Sequence, residues 1–179
     1  MRRVLSSPFV VAPLAFVFLV VAGCRKSDKI PDSQAYERYE SAAGGYAFDA
    51  PKGWSRNETP PAVAFTEGRK GVSVGFQERD AAPTAASVRD NEAKALESSG
   101  REVKVASVED VTLPAGPAVV IKYTSVSEPE PISGKQVPLR NETVVYYTPG
   151  KLVSITFWSP READNQKHWD RMAQSFGWI

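Results

Sequence analysis

From residue 45 onward, apolar and polar residues alternate over short stretches, and the alternation predicts strands. Tyr46 to Phe48 reads as a strand that stops at Pro51, and Pro51-Lys52-Gly53-Trp54 reads as a turn. Ala62 to Thr66 is a second strand, and Glu67 to Gly71 is a glycine-bounded turn into a third, Val72 to Gln77. There Val72, Val74 and Phe76 alternate with Ser73, Gly75 and Gln77, the signature of a sheet with one buried face. The period changes over Thr84 to Ser98. Thr84 can cap a helix, Gly100 can stop it, and Ala85, Val88, Ala93 and Leu96 fall roughly on one stripe. Strands resume over Glu102 to Leu113, Ala118 to Ser125, Val137 to Thr148 and Leu152 to Trp158. The last two form a hairpin around Thr148-Pro149-Gly150-Lys151. A final helix is predicted from Arg161 to Phe176, with Trp169, Met172, Ala173 and Phe176 at i, i+3, i+4 and i+7. Two or three strands, a helix, about four strands and a helix predict an α+β fold, a central antiparallel β-sheet flanked by helices.

The N-terminus follows a different pattern. Arg2 and Arg3 precede an apolar run from Phe9 to Val21 that contains Pro13 and ends in small residues. The run is shorter than the roughly 20 residues of a membrane-spanning helix, so it reads as the core of a signal peptide. Val21-Ala22-Gly23-Cys24 resembles the lipobox of bacterial lipoproteins. That resemblance implies a diacylglycerol thioether on Cys24 and cleavage just before it. The chain then divides into a signal peptide (1–23), a lipid-anchored N-terminus and polar tether (24–44), and a folded domain (45–179). The implied location is a membrane-anchored lipoprotein facing outside the cytoplasm, at the cell surface or in the periplasm. Arg25, rather than Asp, follows the Cys, so the enteric retention signal for the inner membrane is missing.

Composition narrows the chemistry. The 179 residues suit one modest domain, and 22 Lys+Arg against 21 Asp+Glu leave a formal charge of +1 that argues against a nucleic-acid partner. Cleavage before Cys24 would remove two arginines and make that charge −1. One Cys and one His argue against both a disulfide framework and a Cys/His metal site. A Cys24 committed to lipid is unavailable as a nucleophile.

Three parts of the domain carry a family resemblance. They are Tyr46-Ala47-Phe48-Asp49-Ala50-Pro51-Lys52-Gly53-Trp54, the closing hairpin with Tyr146-Tyr147, Pro149-Gly150 and Ile155-Thr156-Phe157, and a terminal helix ending in Ser175-Phe176. Together they resemble the PsbP-like superfamily, which includes DcrB-like and LpqN-like bacterial lipoproteins. The resemblance implies an α-β-α sandwich around an antiparallel sheet over residues 45–179. Its members mostly bind partners or ligands, and the LpqN-like proteins suggest lipid or solute handling.

No catalytic constellation stands out. His168 on the last helix reads as a helix residue pairing with Asp164 rather than a general base, and no Gly-x-Ser-x-Gly elbow accompanies it. Glu109, Asp110, Glu128 and Glu130 are the carboxylates weighed for acid–base work. Neighbours such as Glu109 and Asp110 point to opposite faces of a strand and would not cooperate. No calcium loop or phosphate loop is present, and Arg69-Lys70 reads as a solvated basic turn. No cofactor is implied. Trp158 and Leu152 fall on the sheet face opposite Val153, Ile155 and Phe157, and that face is either covered by a helix, as a sandwich requires, or leaves an apolar groove. Trp54 and Trp158 are its candidate ligand-binding residues, with the Pro51–Trp54 turn and the Glu128–Gly134 loop as borders. The reading is a non-enzymatic, lipid-anchored binding or assembly module with a protein partner. Its alternative is a carrier for a hydrophobic small molecule or lipid in that groove. A cavity of roughly 300 Å³ or more on the sheet favours the carrier.

Overall fold

The alternating stretches become long antiparallel strands in the computed structural model, which describes residues 28–99 and 101–179. Cys24 and the signal-peptide segment lie outside the described residues. The strands are β1 (Tyr36–Ser41), β2 (Tyr46–Pro51), β3 (Ser55–Thr59), β4 (Ala62–Glu67) and β5 (Lys70–Arg79). A helical segment follows: α1 (Ala85–Val88), a π-helical turn (Arg89–Ala93) and α2 (Lys94–Ser98). Then come β6 (Lys104–Leu113), β7 (Gly116–Val126), β8 (Pro138–Thr148), β9 (Gly150–Pro160), α3 (Gln166–Gln174) and the two-residue β10 (Gly177–Trp178).

Seven strands form one antiparallel sheet in the order β3-β4-β5-β9-β8-β7-β6, and β1-β2-β10 form a second. Register places Val72, Phe157 and Glu142 in one cross-strand row and Val74, Ile155 and Val144 in the next. This inner face packs against Tyr39, Tyr46 and Phe48 of the small sheet and Trp169, Met172 and Phe176 of the α3 region. The rings of Tyr146 and Phe176 stack with centroids 4.0 Å apart. Burying each such large apolar side chain contributes about 1.5–3 kcal/mol, so this face holds most of the hydrophobic stabilisation. On the outer face, Val88 and Ala93 of the helical segment pack on Val108, Val119, Ile121, Val145 and Leu152. Thr84 caps the segment in a capping box with Ser87, and the Asp110 carboxylate accepts from the Ala85 N–H at 2.8 Å.

This architecture overturns the expected helix-flanked α-β-α sandwich. Among the described residues, ten strands in two antiparallel sheets make the structure mostly β, with only short helices beside them. The inner face is covered by a second sheet as well as by α3. Two strands account for the difference. β1 lies in the segment read as tether and pairs along its length with β2, burying Tyr39 and Ser41. β3 is an edge strand exposed at every residue, so no apolar alternation marks it. The last helix is also shorter than expected, because residues 161–165 form a turn and irregular stretch in which the Asn165 side chain bonds the backbone of Asp28 and Ile30, and the helix stops at its C-cap, Ser175.

Candidate functional site

At one end of the large sheet, register aligns five residues across the outer face. Gly71 of β5 opposes Trp158 of β9, Trp158 opposes Asn141 of β8, Asn141 opposes Tyr123 of β7, and Tyr123 opposes Val105 of β6. The helical segment covers the sheet only as far as Leu96 and Ser99, leaving Tyr123, Asn141 and Trp158 as the floor of a half-open groove of about 530 Å³. Its walls are the end of α2 with Arg101 and Val103, the Gly68-Arg69 turn, and the loop after β7 at Glu128 and Glu130.

Small residues and hydrogen bonds fix the floor. A Cβ on Gly71 would stand 2.1–2.6 Å from three atoms of the Trp158 indole, so only glycine lets the ring lie across β5. Asn141 is buried and donates through Nδ2 to the Ser125 hydroxyl at 2.9 Å. Burial pushes the Tyr123 phenol above its ordinary range, partly offset by the Thr143 hydroxyl, so it stays neutral at physiological pH. At the wall, Arg101 and Glu102 both adopt left-handed backbone, with φ of 53° and 52°. Neither is glycine, and two successive residues of this kind mark local backbone strain beside the groove. The rim charges are paired: Arg101 with Glu128, and Arg69 with Asp28.

The two tryptophans singled out in the sequence part company. Trp158 lines the groove, as does the start of the Glu128–Gly134 loop. Trp54 is instead buried in the core between the sheets, with Lys70 Nζ 5.7 Å from its ring centroid, and the Gly68-Arg69 turn borders the groove in place of the Pro51–Trp54 turn. Tyr123 and Asn141 escaped the sequence reading. Tyr123 carried a signal, since it continues the Val119-Ile121 alternation, but only the register of three strands sets it beside Trp158.

The remaining candidates separate. His168 is buried and its Nδ1 shares a 2.7 Å hydrogen bond with the Tyr36 hydroxyl, so the expected Asp164 pairing gives way to a cross-element one. Burial lowers the His168 pKa below its ordinary value. Glu109 and Asp110 do face opposite ways: Asp110 holds the helix start, while Glu109 lines a second, smaller cleft of about 180 Å³ beside Glu142. Glu142 is buried, accepts from Gln166 Nε2 at 3.0 Å, and has its pKa raised chiefly by burial. Among the described residues, no group of three or more His, Cys, Asp or Glu could hold a metal ion, and no helix is long and apolar enough to cross a membrane.

No family model and no curated protein matches the chain. Among solved structures, a Bacteroides thetaiotaomicron protein is similar with a TM-score of 0.52 at 12% identity, covering 80% of this chain and 48% of that one. The chain thus spans about half the length of that protein, and the likeness concerns the fold alone. A Pseudomonas aeruginosa protein of unknown function aligns with a TM-score of 0.46 at 14% identity, over 78% of this chain and 94% of that one.

Proposed function

We propose that the chain is a lipid-anchored, extracytoplasmic, non-catalytic binding module, and that it holds a small amphipathic or hydrophobic ligand in the groove over Tyr123, Asn141 and Trp158. The groove itself carries the reading. Its volume of about 530 Å³ falls in the range of small-molecule sites, and it combines an aromatic floor with one oriented amide. A protein-docking face would leave a contiguous apolar patch. The exposed large apolar side chains among the described residues are instead Ile132, fully open, and Ile179, about two-thirds open, far apart in the chain.

Native mass spectrometry of the detergent-extracted protein tests the proposal. A small molecule or lipid should co-purify with the wild type and be lost in Trp158→Ala, with circular dichroism showing that the variant keeps its β structure. A co-purifying protein in place of a small molecule, or a ligand retained unchanged by Trp158→Ala, would count against the groove.

A further inference from the structure

The described chain starts at a clamp. Asn165, buried at 1% exposure, accepts from the Ile30 N–H at 2.7 Å and donates through Nδ2 to the Asp28 carbonyl at 3.0 Å. The Ile30 side chain is itself in the core, and the Asp28 carboxylate pairs with Arg69 on the rim of the groove. Cys24 precedes Asp28 by four residues, which can span at most about 14 Å. A lipid on Cys24 is therefore confined to the end of the molecule that carries the groove.

Two further features mark that end. The loop joining β7 to β8 leaves from the groove wall and carries Ile132 fully exposed. Arg25 and Lys26 directly follow Cys24 in the sequence, where they suit the surface of a membrane with anionic headgroups. The C-terminus is at the other end. The Ile179 N–H donates to the Gly45 carbonyl at 3.1 Å, and Lys151 Nζ to the adjoining Gly44 carbonyl at 2.9 Å. Lys151 stands seven residues from Trp158 along β9, about 23 Å at the usual strand rise.

We infer that the groove end of the molecule is seated on a phospholipid bilayer, with Ile132 dipping into the interface and the groove opening toward lipid. The inference rests on the lipid-anchored reading of Cys24. An isolated isoleucine held in water gains nothing from its own fold, whereas beside a lipid anchor, which already holds the chain to the membrane, it fixes the orientation that a single tether leaves free.

The chain has a single Cys, so a maleimide phospholipid couples to the protein beginning at Cys24 at one site only. A Cys24→Ser protein with a cysteine appended after Ile179 carries the same lipid at the far end. In both, Ile132→Trp with Trp158→Phe supplies a probe, read as the difference from the Trp158→Phe protein alone, which keeps Trp54, Trp169 and Trp178, on phosphatidylcholine–phosphatidylglycerol vesicles with brominated acyl chains. At least threefold stronger quenching with the lipid at Cys24 is expected, together with a blue-shifted emission. Equal quenching from the two attachments, or none with the lipid at Cys24, overturns the orientation. Because the lipid is attached chemically, this result does not depend on processing in the cell. The groove reading fails separately, if a short-chain brominated phospholipid in solution quenches the unmodified protein no more than it quenches Trp158→Phe.

Discussion

At the residue scale, the groove depends on what is missing from Gly71. With no Cβ there, the Trp158 indole lies against the β5 backbone and its free face becomes the floor. Gly71→Ala forces the ring outward or the strands apart. The expected cost is about 1–3 kcal/mol, the usual range for overpacking, measurable by denaturant unfolding, with a red shift of the folded protein's tryptophan emission that is absent in the Trp158→Phe background. Glu142 illustrates a different constraint. Burial raises its pKa above the ordinary 4.5, so the folded state holds its proton more tightly than the unfolded state does. The stability this confers is full below pH 4.5 and is lost as pH rises through the folded-state value. Glu142→Gln keeps an acceptor for Gln166 and removes the charge. Its melting temperature should exceed wild type at pH 7, and the two should converge below pH 4.5. A variant less stable than wild type at pH 7 would show that the charged carboxylate is well accommodated.

Elements differ in how openly the sequence declares them. The helical segment is clear because its stripe and its cap agree. Thr84→Ala removes the capping hydroxyl that accepts from Ser87 N–H at 3.2 Å, and should cost about 1 kcal/mol in thermal or chemical unfolding. An unchanged unfolding midpoint would mean that the Asp110 contact alone holds the helix start. The central strands are as clear, since Val72-Val74-Phe76 and Val153-Ile155-Phe157 each expose one apolar edge. β1 was hidden for a physical reason. Tyr36 and Tyr39 are three apart, which suggests a helix, while only Tyr39 and Ser41 turn inward once β2 supplies a partner. β3 has no buried residue to betray it, and reading β1 as tether turned a two-sheet fold into an expected helix-flanked one. In the groove, Trp158 and the Glu128 loop were legible as strand-face and loop residues. The Gly71–Trp158–Asn141–Tyr123 row was not, because register belongs to pairs of strands.

At the scale of the whole molecule, the two sheets give the domain two unlike ends. One collects the groove, the Asn165 clamp, the Gly68-Arg69 turn and the loop with Ile132. The other collects the tight turn at Gly150, the start of β2 and the C-terminus. The large sheet sets the distance between them, and the small sheet joins them through β2, which hydrogen-bonds to β1 on one side and β10 on the other. That arrangement has a mechanical meaning. β1 enters at the groove end, and β10 leaves toward the far end. Tension applied between the N-terminus and the C-terminus would drag the two strands in opposite directions along β2. The β1–β2 ladder of six residue pairs would be sheared lengthwise, its hydrogen bonds resisting together instead of being peeled open one at a time, while β10 holds through two pairs. A domain held at its first residues and tugged at its last would thus meet the load along the grain of its smaller sheet.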